Sequence, residues 1–217
     1  MKTSPLHPGV VAGCAALCFA AATAVAEGGA QAQALTEWVL AQDQAGITIH
    51  TRISPGDTIR EFRVVTRFQA PLEAVTAVFE DVSRFPEWYD RCVEPRRLDG
   101  DRDAGAIYVR ADLPFPFADR DFAFQTTREQ TADGIRYRSE AEDGLTPEVD
   151  GLVRVPELLS LWTFERFSDD ETRVTFQQRS DPGGALPSWL TNSMATVVPR
   201  NSLTALRQLV DQASSAE

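Results

Sequence analysis

Lysine, histidine and cysteine are scarce in this chain, and each shortage removes a class of chemistry. The only lysine is Lys2, against 20 arginines; the histidines are His7 and His50; the cysteines are Cys14, Cys18 and Cys92. If the first 26 residues are an export signal, as argued below, the remainder keeps no lysine, one histidine and one cysteine. That inventory excludes a Schiff-base lysine, a zinc cluster and an intramolecular disulfide. The serine-hydrolase pattern G-x-S-x-G is absent, and no motif assigns a partner to His50. Positive charge is also short. The 21 basic residues face 32 acidic ones, a net charge of -11; without Lys2 it becomes -12. So acidic a chain is a poor partner for nucleic acid.

What is present is an ordinary globular mixture. Hydrophobic residues make up 43% and charged residues 24% of 217, which suits one domain with an extension. Residues 1–26 begin with Lys2, run apolar from Gly9 to Ala26 and end in Ala24-Val25-Ala26, a small-x-small cleavage pattern. A transmembrane anchor would have nearly this length, but the alanine-rich run and the cleavage pattern favour a removed secretory signal. Val11-Ala12-Gly13-Cys14 resembles a lipobox, yet the apolar run before it is too short. The expectation is a soluble monomer, exported to a bacterial periplasm or secreted, with a linker at 27–33, a domain at 34–213 and a tail at 214–217. In an oxidising compartment a lone Cys92 cannot staple its own chain, so stability rests on burial.

Along the domain, Leu35, Trp38 and Val39 within 34–45 have helical spacing closed by Gly46, which predicts a short helix. Residues 47–53 and 59–68 alternate around Pro55-Gly56-Asp57 and predict a hairpin, with Phe62, Val64, Thr66 and Phe68 on one face. Pro71 opens a helix over 72–82 carrying Leu72, Val75, Val78 and Phe79. Strands are predicted at 106–113, 122–129, 134–142, 160–167 and 172–180. The apolar positions of 186–213 recur at three and four and predict a long helix, with Pro199 expected to kink it. The fold class is therefore α+β, a largely antiparallel sheet with a long C-terminal helix against it.

Several constellations invite a functional reading. Asp99-Gly100-Asp101-Arg102-Asp103 has the alternation of a calcium loop, but Ala104 and Arg110 stand where glycine and the closing acid belong, so a solvated turn is the better reading. Asp119 and Asp121 flank Arg120, which suits an arginine between structural partners better than paired acids for acid/base work. The strand at 106–113 places Tyr108, Arg110 and Asp112 on one face and Ile107, Val109, Ala111 and Leu113 on the other. Either the apolar face is core and the polar face solvated, or the polar face lines a ligand cavity. Phe115, Phe117, Phe122 and Phe124 crowd the next stretch with apolar surface.

Asp181-Pro182-Gly183-Gly184-Ala185-Leu186-Pro187-Ser188-Trp189-Leu190 resembles the approach to the last helix of START (steroidogenic acute regulatory related lipid transfer) domains, and Arg120-Asp121-Phe122 resembles their central strand. The order helix, hairpin, helix ending in Phe85-Pro86-Glu87-Trp88-Tyr89, strands and long helix matches as well, so the resemblance covers about residues 34–213. It implies a helix-grip fold, a curved antiparallel sheet wrapped around the C-terminal helix. It also implies an apolar tunnel holding one lipid, transient membrane contact and no cofactor or metal. Phospholipid, sterol or hopanoid-like ligands are the expected class. Phe62, Val64, Tyr108, Arg110, Asp112, Phe122, Phe124 and Tyr137 are expected to face that space. Leu190, Met194 and Val197 should close over it, beyond a hinge at Gly183 and Gly184. Sterol-binding members pair a buried acid with an arginine; Asp112 matches the acid loosely, and Thr126 stands where the arginine would fall. The surrounding fold class also includes polyketide cyclases. The alternative is thus a cyclase-like or hydrolase-like enzyme using Arg110, Asp112 and Tyr137; a scaffold whose cavity is filled by side chains is a further one.

Overall fold

A pair of positive backbone angles decides how the domain begins. Ala45 and Gly46 have φ of 53° and 72°, the two central positions of a tight hairpin turn. They join strand β1 (Val39–Gln44) to β2 (Ile47–Ile53), with Gln44 opposite Ile47. The helix expected over 34–45 is therefore corrected to an edge strand, because Gly46 serves as a hairpin residue and not as a helix cap. Trp38, whose spacing suggested a helix face, lies under the guanidinium groups of Arg52 and Arg63 at 4.3 and 4.9 Å.

The computed structural model describes residues 37–53, 59–98 and 104–215. The expected signal segment, the linker, the Pro55-Gly56-Asp57 turn and the acidic loop at 99–103 lie outside them. β2 pairs antiparallel with β3 (Arg60–Phe68), as the expected hairpin requires, with Ile49 opposite Val64. Helix α1 (Leu72–Glu80) starts after Pro71 and buries Leu72, Val75 and Val78. It is followed by a 3-10 turn at Val82–Arg84 and the short helix α2 (Phe85–Trp88). The remaining strands are β4 (Cys92–Arg97), β5 (Ala104–Ala111), β6 (Arg120–Gln130), β7 (Gly134–Ala141), β8 (Val153–Arg154), β9 (Glu157–Ser168) and β10 (Glu171–Asp181); helix α3 (Ser188–Ser214) closes the chain and continues through Pro199.

The sheet order is β1-β2-β3-β10-β9-β7-β6-β5-β4, all antiparallel, with β8 joining β6 in parallel. Consecutive hairpins explain most of this order; the β3 to β10 pairing brings the two ends of the domain together. β4 was not predicted because Pro95 interrupts it. As an edge strand it tolerates a residue that cannot donate to the ladder. Helix α3 packs Leu203, Leu206 and Val210 into a core shared with Val75 of α1 and Phe68, Phe164 and Val174 of the sheet. Its anchorage is also polar: Arg207 donates to the Ala45 carbonyl at 3.1 Å and to the Thr66 hydroxyl. Asn201 donates to Asp90 at 3.1 Å, and the Asp90 amide donates to Ser202 at 3.0 Å.

Candidate ligand-binding site

Between the concave face of the sheet, α2 and the first half of α3 lies a cavity of about 560 Å³, within the range that encloses a small-molecule ligand. Strand alternation sets its lining. β5 contributes Ile107 and Val109, β6 contributes Phe122, Phe124 and Thr126, β7 Tyr137 and Ser139, β9 Leu158, Ser160 and Trp162, and β10 Gln178 and Ser180. Phe62 lines it from β3, and Met194, Ala195 and Val198 from α3.

Phe62, Phe122, Phe124, Thr126, Tyr137 and Met194 thus stand where the sequence reading placed them. The other six do not. Tyr108, Arg110 and Asp112 were expected inside; the structure turns this face of β5 outward. Tyr108 is buried on the outer side beneath Arg96, whose guanidinium sits 4.2 Å from its ring. Arg110 pairs with Asp119 at 3.2 Å and Glu94 at 3.7 Å, and Asp112 is exposed. Leaving these charges outside avoids a desolvation cost that apolar Ile107 and Val109 do not incur. Val64 shares the face of Phe62 but sits fully buried in the packed core opposite Phe176, beyond the lining. On α3 the lining residues are Thr191, Asn192, Met194, Ala195 and Val198, so Leu190 is buried outside them and Val197 is rotated off them. The enzymatic alternative loses two of its three residues, since only Tyr137 of the Arg110, Asp112 and Tyr137 set reaches the cavity.

One end of the cavity is aromatic. Phe79 packs on Trp88, Tyr137 and Trp162 at 5.8, 4.9 and 5.0 Å, and Trp162 stacks on Phe176 at 3.7 Å. The Tyr137 hydroxyl donates to Glu80 Oε1, which also accepts from Arg128 Nε at 3.2 Å. Burial, then the bond to Glu80, pushes the Tyr137 phenol well above its ordinary range, so it is a hydrogen-bond donor at neutral pH and not a base. Burial likewise pushes the Cys92 thiol up to about 12. A neutral thiol is neither a metal ligand nor a nucleophile. Trp88 Nε1 and Gln178 Oε1 are buried without a partner in residues that line this space.

The loop between β10 and α3 closes the other end. Arg120, 3% exposed, donates to the carbonyls of Ala118, Pro182 (3.0 Å) and Gly183 (2.9 Å). Its partners are therefore main-chain oxygens. The acids beside it bond to different arginines, Asp119 to Arg110 and Asp121 to Arg154 in a two-bond pair at 3.0 and 2.8 Å. Gly183 has φ of 66°, and a Cβ there would meet Val153 Cγ1 at 3.2 Å. Both conditions favour glycine. Cys92, Trp88, Leu158, Ser160 and Gln178 went unrecognised as lining residues; alternation within the β9 and β10 strands was the signal that could have found the last three.

A family model described as polyketide cyclase, dehydrase and lipid transport matches residues 68–207. The chain belongs to this family. A solved structure of a STAR-related lipid transfer protein from Xanthomonas axonopodis superposes with a TM-score of 0.74 at 32% identity, covering 81% of this chain and 99% of that one. An uncharacterized Pseudomonas aeruginosa protein is 34% identical over 85% of this chain and 92% of its own. Rat phosphatidylcholine transfer protein is 26% identical over 75% of this chain and 79% of its own. The human StAR-related lipid transfer protein 5 shares the fold, with a TM-score of 0.72 at 18% identity over 82% of this chain and 88% of that one. The START family and its helix-grip fold are thus established for this member.

Proposed function

We propose that this START-family member is an exported protein that binds one lipid molecule in its cavity and carries it between membranes, without catalysing a reaction on it. The observation that carries the reading is the cavity itself, walled by Phe62, Ile107, Val109, Phe124, Leu158 and Trp162 of the sheet and by Met194, Ala195 and Val198 of α3, within a fold whose relatives include proteins named for lipid transfer. Burying roughly 500 Å² of apolar ligand surface at about 25 cal/mol per Å² offers ~12 kcal/mol gross, enough to offset association and ordering costs of several kcal/mol. Phe115 and Trp189 are 97% and 60% exposed, and Phe117 packs edge-on against Trp189 at 6.3 Å. In this reading that aromatic cluster, beside the start of α3, makes the transient contact with a bilayer surface, where amphipathic rings are favoured. The ligand class is phospholipid, sterol or hopanoid-like, and the Ala24-Val25-Ala26 pattern supports removal of residues 1–26 on export.

The test is lipid movement between donor and acceptor vesicles loaded with lipids extracted from the native host. Transfer proportional to protein concentration, slowed by Phe115→Ala with Trp189→Ala while lipid binding in detergent is retained, is the expected result. Transfer no faster than the protein-free control, for every lipid in the extract, would overturn the reading.

A further inference from the structure

The cavity is not uniformly apolar, and its polarity is organised. Thr126 of β6 is directly opposite Ser139 of β7, Ser139 is opposite Ser160 of β9, and Ser160 is opposite Gln178 of β10. All four line the cavity. They form one row crossing four adjacent strands, spaced about 4.8 Å apart and so about 14 Å long. The flanking rows are mostly apolar: Tyr137, Trp162 and Phe176 on one side, with Arg128 opposite Tyr137 on β6, and Phe124, Ala141 and Leu158 on the other, with Ser180 opposite Leu158 on β10; each row is two residues along the strands and so about 7 Å away. The Thr126 and Ser139 hydroxyls bond each other at 2.8 Å, and Ser160 is only 6% exposed. At the end of the row Gln178 Oε1 is buried without a hydrogen-bond partner. Rotation of that amide would present its NH2 instead, so Gln178 can meet a donor or an acceptor.

An unsubstituted hydrocarbon lying across this row would exclude water and leave the Gln178 amide and the Ser160 hydroxyl facing methylenes. Unsatisfied buried polar groups are penalised, so the row disfavours such a ligand and rewards one that brings an oxygen to that level. We infer that the ligand is an oxygenated lipid, whose buried portion carries a hydroxyl or carbonyl at the level of Thr126, Ser139, Ser160 and Gln178. This rests on the lipid-binding reading above and adds the ligand's chemistry to it. The row discriminates by hydrogen bonding; the aromatic and aliphatic side chains of the rows on either side discriminate mainly by shape.

Octadecanoate and a set of hydroxyoctadecanoates, with the hydroxyl at successive chain positions, test this by displacement of anilinonaphthalene sulfonate from the purified protein. At least one hydroxyl position should bind about tenfold or more tighter than octadecanoate. That preference should fall severalfold in Ser160→Ala and in Gln178→Met, a substitution of similar length, while octadecanoate binds as well or better and melting temperatures confirm folding. Octadecanoate binding with no preferred hydroxyl position, or a preference untouched by both substitutions in folded protein, overturns this inference and leaves lipid binding standing. Failure of every probe to bind, in protein that also brings no lipid through purification, overturns the lipid-binding reading and this inference with it.

Discussion

At the residue scale strand alternation keeps the charges of β5 off the cavity. Arg110 pairs with Asp119 and Glu94 on the outer face of β5, while Ile107 and Val109 on its other face meet the ligand space. The two faces were legible in the sequence, but which of them faced inward was not, because Phe115, Phe117, Phe122 and Phe124 nearby suit either side. Charges that do enter the fold are held by specific partners. Asp121, 1% exposed, is bonded twice by Arg154, and removing one partner of a buried pair costs about 3 kcal/mol or more. Asp121→Ala should therefore lower stability by roughly that amount in urea denaturation, far more than Glu94→Ala on the exposed rim. Cys92 supplies a pH dependence. Its folded-state pKa lies above that of the unfolded thiol, so the native state holds the proton more tightly and stability falls as pH climbs from about 9 towards about 12. Denaturation midpoints measured across that window should decline with a slope that Cys92→Ala reduces, because the substituted side chain does not titrate.

At the element scale, the edge strands carry bulges, between Leu40 and Gln42 in β1 and between Cys92 and Glu94 in β4, and the central β9 to β10 pair has one only at its hairpin end, between Glu171 and Thr172. β1 and β4 are the two edge strands, and both escaped the sequence reading, one disguised by helical spacing around Trp38 and the other by Pro95. The strands between them were legible because alternation is enforced by burial on the concave face, as in the Leu158, Ser160, Trp162 and Phe164 series of β9. Gly134, at the start of β7, is a central case. A Cβ there would lie 1.8 Å from the Phe164 carbonyl oxygen, a backbone clash that no rotamer relieves. Gly134→Ala should separate β7 from β9 and prevent folding or lower the melting temperature by about 10 °C or more, a loss of at least ~4 kcal/mol. Helix α3 was legible in extent from its apolar recurrence. Its facing was not, since the stripe that meets the cavity is set by where Asn201, Ser202 and Arg207 tie the helix to the 90 loop and the first hairpin.

On the scale of the whole molecule, a nine-strand antiparallel path curls around one helix, and the space left between them is the feature to which sequence, fold and family all point. The signature Asp181-Pro182-Gly183-Gly184 carries the family resemblance in the sequence, and in the fold it is the approach to α3, where Arg120 holds the Pro182 and Gly183 carbonyls and both glycines take positive φ. What composition could not convey is the cavity's size and the polar row within it, which arise only when four strands are brought into register. The account stands on that cavity being a ligand site and not an incidental void. Native mass spectrometry of the protein purified gently from its own host tests this most directly. It should record a species heavier than the bare chain by the mass of one lipid, released as a single small molecule on activation. A spectrum containing only the bare chain, unchanged after incubation with the host's lipid extract, would contradict it.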